Sequence, residues 1–387
     1  MIDPSNYKRR EQTLVKHFFL DRYLERVAYV TLAGSGRWSD FAYVDTFSGP
    51  WRSGNVNLED TSVFIALTKL DAVRQGLKKI GRNVKFRAMF VESSPSAFQD
   101  LQRLVAQFPN SGATTIRGEF QDHVDDARRF IGNAFSLIFV DPTGWSVDLN
   151  VLQPLLQLRG EVIFNFMYNE INRHLLDNPQ PAVRTSFDPI FGGPSWRNEI
   201  EQRIKAGADR ESSIVGVFCD RLREAGGFEY VTQTRILQPL AERTYFYLVY
   251  GTRHWKGVQE FRSVEQKALE VQEKVRFDAK MDAHEQRSGI RDLFHGESPR
   301  GWPPDFQAHR ARNLDAARQR LRQLLLERHC FPAYEAFGRV LELPLVFPDD
   351  AKALLLEAQT EGWLTIDLRP RERTPKPDTV VTSLISG

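Results

Sequence analysis

A chain of 387 residues has room for one large α/β unit and a smaller one. Its 41% hydrophobic and 26% charged content are ordinary for a globular protein, and no apolar run reaches the roughly 18 to 20 residues that span a bilayer. The net charge of +2 excludes a strongly polyionic chain, and the two cysteines, Cys219 and Cys330, lack the spacing and histidine partners of a zinc site or disulfide framework. With no apolar signal core in residues 1–10, these features predict a cytoplasmic protein without membrane contact or metal.

Residues 12–30 carry apolar side chains at helical spacing (Leu14, Val15, Phe18, Phe19, Tyr23, Leu24, Val27) and predict an amphipathic leading helix. An alternation follows. Strands are expected at 41–47, 86–91, 114–116, 136–140 and 162–166, with helices at 61–79, 95–108, 121–130 and 148–158 between them. Strands apolar along their whole length, separated by amphipathic helices, imply a mostly parallel doubly wound sheet covered on both faces. Residues 178–198, rich in Pro and Gly, read as an insertion over the crevice mouth, followed by a helix at 211–225. Residues 230–236 and 244–250 read as an antiparallel pair of final strands, and 257–281 as a long helix. The chain divides into a Rossmann-like unit at 1–288, a linker at 289–307 and a small unit at 308–387. The last holds helices at 314–328, 332–341 and 348–360 and a terminal hairpin, the outline of a winged helix.

In a doubly wound sheet the ligand crevice lies beyond the carboxyl ends of the strands, so those ends carry the chemistry. The first strand ends in Asp45, followed by Ser48 and Gly49, an acid to attract a ligand's amino group and small residues that let backbone approach it. Glu92 ends the second strand, the usual place for an acid on an adenosine ribose, although a helix cap explains it equally well. Two such acids at consecutive strand ends favour an adenosyl ligand, S-adenosylmethionine (SAM). After the third strand, Glu119, Phe120 and Gln121 are candidates to flank its adenine, as the same loop does in methyltransferases.

The fourth strand runs into Asp141-Pro142-Thr143-Gly144-Trp145. Enzymes that methylate exocyclic amines often carry an Asp-Pro segment here, whose oxygens accept the amine's hydrogen bonds and align its lone pair. Trp145 is a candidate ring to stack on a flat acceptor. A plain type I turn accounts for the same four residues. Asn165, Asn169 and Arg173 follow the fifth strand and are expected to line the acceptor pocket, and Arg253, after the seventh, to steer an anionic group. No GxxxxGK[ST], HExxH or Ser-His-Asp order occurs.

Five segments together resemble the three-Cys-motif partner (TcmP) family: residues 13–23 (TLVKHFFLDRY), 43–54 (YVDTFSGPWRSG), 139–144 (FVDPTG), 164–173 (FNFMYNEINR) and 246–257 (FYLVYGTRHWKG). The resemblance implies a methyltransferase-like fold, often with a C-terminal winged helix, and a three-Cys-motif protein as partner. One departure is Gly49-Pro50-Trp51, where the family commonly has Gly-Pro-Gly; a Trp51 ring has room to crowd the methionine end of SAM. The leading expectation is a SAM-dependent N-methyltransferase acting on nucleic acid, gripped by the basic loop of Arg369, Arg371, Arg373 and Lys376. The alternative is a catalytically inactive methyltransferase-like scaffold that binds nucleic acid or the three-Cys-motif protein in a phage-related or defence context.

Overall fold

The structure, a computed structural model, describes residues 2–34, 38–49, 53, 55, 57–176, 178–289 and 302–385. A leading helix α1 (Glu11–Ala33) precedes β1 (Asp40–Asp45), α2 (Ser62–Lys79), β2 (Lys85–Glu92), α3 (Pro95–Ala106), β3 (Ala113–Arg117), α4 (Val124–Ile131), β4 (Phe135–Val140), α5 (Leu149–Leu156) and β5 (Gly160–Phe166). Strands β1 to β5 pair in parallel, as their continuous apolar runs require for a sheet buried on both faces. Helices α6 (Tyr168–His174), α7 (Pro181–Thr185), α8 (Trp196–Lys205) and α9 (Arg210–Gly226) follow, then β6 (Tyr230–Leu237), β7 (Thr244–Thr252) and α10 (Trp255–Ser288). The seven-stranded order is β3-β2-β1-β4-β5-β7-β6, with β7 antiparallel to both neighbours.

The sheet separates two cores. On one face, α1, α2, α3 and α10 pack around Phe19, Tyr23, Leu67, Leu101 and Phe261. On the other, α4, α5 and α9 pack around Ala127, Leu152, Phe164 and Phe218. Local chemistry fixes the helix ends: Thr61 Oγ1 accepts the Phe64 N–H at the start of α2, and Asp209 accepts that of Ser212 at the start of α9. The region 178–198 is more ordered than its Pro and Gly suggest. Trp196 is fully buried, stacks on Phe191 at 5.1 Å and donates its indole N–H to Asp188. Burying that ring and satisfying its one donor turns the insertion into a packed lobe over the α5 side of the sheet.

The C-terminal unit runs α11 (Pro304–Glu327), β8 (Cys330–Pro332), α12 (Ala333–Leu341), α13 (Pro348–Thr360), β9 (Leu364–Ile366) and β10 (Val380–Ser383). Helix α11 begins at Pro304, not at 314, because proline at the first helical turn needs no N–H partner. Strand β8, too short for a sequence pattern, adds to the expected hairpin in a three-stranded antiparallel sheet, β8-β10-β9. The unit has its own core around Leu321, Phe337, Leu355 and Val381, which also takes in Tyr230 and Val258. It docks on the edge strand β6: Glu342 accepts the Val231 N–H at 3.1 Å, and fully buried Arg262 donates to Gln233 O and Leu341 O while paired with Glu265. No helix among the described residues is long and apolar enough to cross a membrane.

Candidate functional site

Because β1, β2, β4 and β5 are parallel, their carboxyl ends lie along one edge of the sheet, where a doubly wound fold has its crevice. Asp45 lies deepest. Ser62 Oγ donates to its Oδ2 at 2.8 Å and the Phe47 N–H to its Oδ1 at 3.3 Å, and the residue is fully buried. Burial pushes its carboxyl up to about 6, with the charge of Asp141 adding to the shift. Ser48, also fully buried, donates to Asp45 O and accepts the Val91 N–H, stapling the turn after β1 to β2. Gly49 is half-buried beside it. Glu92 is buried at the end of β2, anchored by the Ser94 N–H at 2.6 Å, and burial raises its carboxyl as well. That anchor uses one of about four acceptor sites on the carboxylate, leaving enough for a pair of ribose hydroxyls.

Asp141 emerges from β4 into a cluster that local sequence patterns do not reveal. Lys16 Nζ from α1 lies 2.5 Å from its Oδ2, and Asn165 Nδ2 from β5 donates to its Oδ1 at 2.5 Å. Both side chains of the ion pair are mostly buried. Asn165 is buried, and its Oδ1 makes no hydrogen bond. Its amide orientation is dictated by Asp141, because the flipped form would set oxygen against carboxylate. Pro142 is buried and Gly144 sits at φ 85°, a turn that favours glycine. Trp145 is half-buried against Phe187 at 4.7 Å and His174 at 6.0 Å, with its indole N–H donated to Ser186. Asn169 accepts from Gln238, and Arg173 is exposed on α6.

The start of the chain reinforces both halves of the crevice. Arg10 is paired with Asp60 in the segment after β1, and Ser53 also donates to Asp60. Tyr7 bonds the buried His17 ring at 3.0 Å, and burial drives that imidazole down to about 3, so it is neutral. Lys16, Arg10 and Asp60 are absent from the residues that the sequence marks out. Nothing in a helical apolar pattern shows which lysine meets a carboxylate 125 positions away.

Two placements differ from expectation. Arg253 does not reach the crevice. Strand β7 runs opposite to β5, with Gly251 opposite Val162, so residues after β7 emerge at the amino ends of the parallel strands. There Arg253 donates to the carbonyls of Leu156, Leu158, Gly160 and Gly226 and lies over the Phe228 ring at 4.7 Å. It holds backbone together. Phe120 is buried in the core beneath the third strand's loop rather than lining it, whereas Glu119 is exposed there and Gln121 accepts the Asp148 N–H at 2.6 Å. Pro50 and Trp51 lie outside the described residues.

A separate cavity of about 590 Å³ lies between β6, α9, α10 and the start of α11, lined among others by Glu211, Arg235, Glu265, Phe306 and His309. It contains none of the residues singled out from the sequence.

No protein-family model matches the sequence, and no curated protein does. Among solved structures, the chain is similar to protein LPL1258 of Legionella pneumophila, of the family DUF519, at 12% identity and a TM-score of 0.38, over 70% of this chain and 94% of that one. It is similar to a putative O-methyltransferase from Klebsiella pneumoniae at 11% identity and a TM-score of 0.29, over 60% and 79%. Loganic acid methyltransferase with S-adenosylhomocysteine (SAH) aligns at 10% identity and a TM-score of 0.30, over 99% and 97%. At these scores the likeness identifies neither reaction nor substrate.

Proposed function

We propose that the chain is a SAM-dependent N-methyltransferase whose acceptor is an exocyclic amine of a nucleic acid, built as a Rossmann-like methyltransferase unit with a C-terminal winged helix. The observation that carries this reading is the Asp141 carboxylate at the end of β4, held by Lys16 and Asn165 beside the acids that end β1 and β2. The sheet order supports it, since a reversed seventh strand between the fifth and sixth is the arrangement of the methyltransferase class of Rossmann-like folds. The helix-strand-helix-helix-strand-strand order of the C-terminal unit supports the winged helix.

The residues fit the cofactor. Glu92 has acceptor capacity for the ribose diol, the negative field of Asp45 suits the ammonium of the methionine moiety, and Gly49 lets the backbone approach. SAM, when bound, supplies an electrophilic methyl group on a sulfonium. Asp141 accepts one N–H of the amine, and Asn165 Oδ1, without a partner of its own, accepts the other once Lys16 shifts. Until then the Lys16 ammonium holds the carboxylate in position. With SAM bound, the amine nitrogen held by Asp141 and Asn165 would take the methyl group, SAH would leave, and the product's surplus proton would go to solvent. Such a transfer requires alignment and desolvation more than a strong base.

The test is calorimetric titration of SAM and SAH into the protein and its Glu92→Ala variant, followed by radiolabelled methyl transfer to tRNA, rRNA and DNA. Binding lost in the variant, with label in one nucleic acid, supports the proposal. A folded sample that binds neither compound sinks it. A second reading draws on the Lys16 contact, which closes the acceptor carboxylate. In it the chain is a methyltransferase-like scaffold for nucleic acid or a three-Cys-motif protein, and no acceptor is ever labelled.

A further inference from the structure

Two sets of basic side chains in the C-terminal unit, those of α11 and those of the loop between β9 and β10, are held differently. Those of α11 are largely engaged within the protein. Arg310 donates to both carboxylate oxygens of Asp350 and to Leu345 O, Arg318 is paired with Glu361, and Arg320 with Glu342. Arg322 lies over the Trp363 ring at 5.8 Å. Helix α13, the third of the unit, exposes Asp349 and Glu357; its one basic residue, Lys352, is paired with Asp349, and Glu361 just past its end is paired with Arg318. With its single cation already engaged and Glu357 exposed, the helix offers phosphates no attraction and is unsuited to a groove.

The loop between β9 and β10 is built differently. Arg369, Arg371 and Arg373 alternate with Pro370 and Glu372, and all three arginines are exposed and form no ion pair among the described residues. Glu372 turns inward, where it accepts the Arg369 N–H and pairs with Lys376. Pro375 is buried, and Thr379 Oγ1 accepts the Lys376 N–H at 2.8 Å. Three prolines and these internal bonds hold the loop in shape, so little ordering is needed when its guanidinium groups meet a ligand. Guanidinium forks match phosphate oxygens geometrically.

We propose that the C-terminal unit holds the nucleic acid by its phosphate backbone through this loop alone, with α13 facing away, and so contributes grip without base-edge readout. This rests on the nucleic-acid substrate proposed above and names the surface that meets it. The experiment compares the full chain, an Arg369→Gln/Arg371→Gln/Arg373→Gln variant and a Lys352→Ala variant. Each is titrated with a labelled RNA hairpin, a DNA duplex of equal length and phosphatidylserine vesicles over a range of salt. Three lost phosphate contacts should lower the slope of log affinity against log salt by about 2 to 3 units for the triple variant. Lys352→Ala should change nothing, and affinity should be insensitive to base sequence. The proposal is overturned if the triple variant keeps the parental slope, if Lys352→Ala costs as much, or if only the vesicles bind. SAM titration of the same triple variant, expected unchanged, separates failure of this proposal from failure of the methyltransferase reading.

Discussion

The two halves of the crevice are held in opposite ways. On the β1 and β2 side, each acid is anchored from the segment that directly follows its strand: Asp45 by the Phe47 N–H and by Ser62 at the start of α2, Glu92 by the Ser94 N–H. On the β4 and β5 side, Asp141 is held by side chains from distant parts of the chain, Lys16 and Asn165. A locally anchored acid keeps its geometry as long as its turn does. A remotely anchored one depends on the packing of α1 against the whole sheet, so it is open to control by whatever moves that helix.

The contrast breaks first at Asp141. Asp141→Ala should cost about 100- to 1,000-fold in kcat while leaving SAM affinity within about two-fold. Equal loss of both would mean that the halves are not separable. Glu92→Ala should do the converse, weakening SAM binding by about 10- to 100-fold, the worth of charge-assisted hydrogen bonds, as read by calorimetry. Lys16→Met should lower kcat about 10-fold at unchanged SAM affinity, with partial recovery in Lys16→Arg. A Lys16→Met enzyme as fast as the parent would assign the lysine to packing alone.

Subtler still is pH. The folded Asp45 carboxyl titrates near 6 and so takes up a proton on acidification sooner than a free one. The ammonium of SAM favours the ionised form, so affinity should fall a few-fold as pH drops through about 6 and stay flat above it. Asp45→Asn should abolish that dependence. The smallest kinetic effect is expected at Arg253→Ala, which should leave turnover unchanged. It strips four carbonyls of their donor and should lower stability by about 2 to 4 kcal/mol in thermal unfolding.

What is legible in the sequence follows the same division. Buried strands announce themselves by unbroken apolar runs, and an acid just past such a run marks a strand end, so Asp45, Glu92 and Asp141 stand out from residue order alone. Direction is not written in that pattern. The apolar run at 244–250 looks the same whichever way it threads the sheet, and the reversal of β7 moves Arg253 to the far side. Contacts across long separations are equally silent, which is why no local pattern distinguishes Lys16 from any other helix lysine. Phe120 illustrates a third limit, because a loop aromatic can face a ligand or the core, and only the packing against Val124 and Ala127 decides.

The seam at β6 also sets how the chain can be divided. Val231 N–H and Gln233 O, the outward-facing groups of an edge strand, are met by Glu342 and Arg262, and Arg262 is in turn locked to Leu341 O. A fragment ending before α11 would keep Arg262 of α10 but lose Glu342 and Leu341, leaving the Val231 N–H, Tyr230 and Val258 uncovered, and bare edges recruit other strands. Such a fragment should come off a sizing column as aggregates while the whole chain does not. The C-terminal unit therefore doubles as a solubility device for the sheet it leans on, and its loss in evolution would require a new covering for β6.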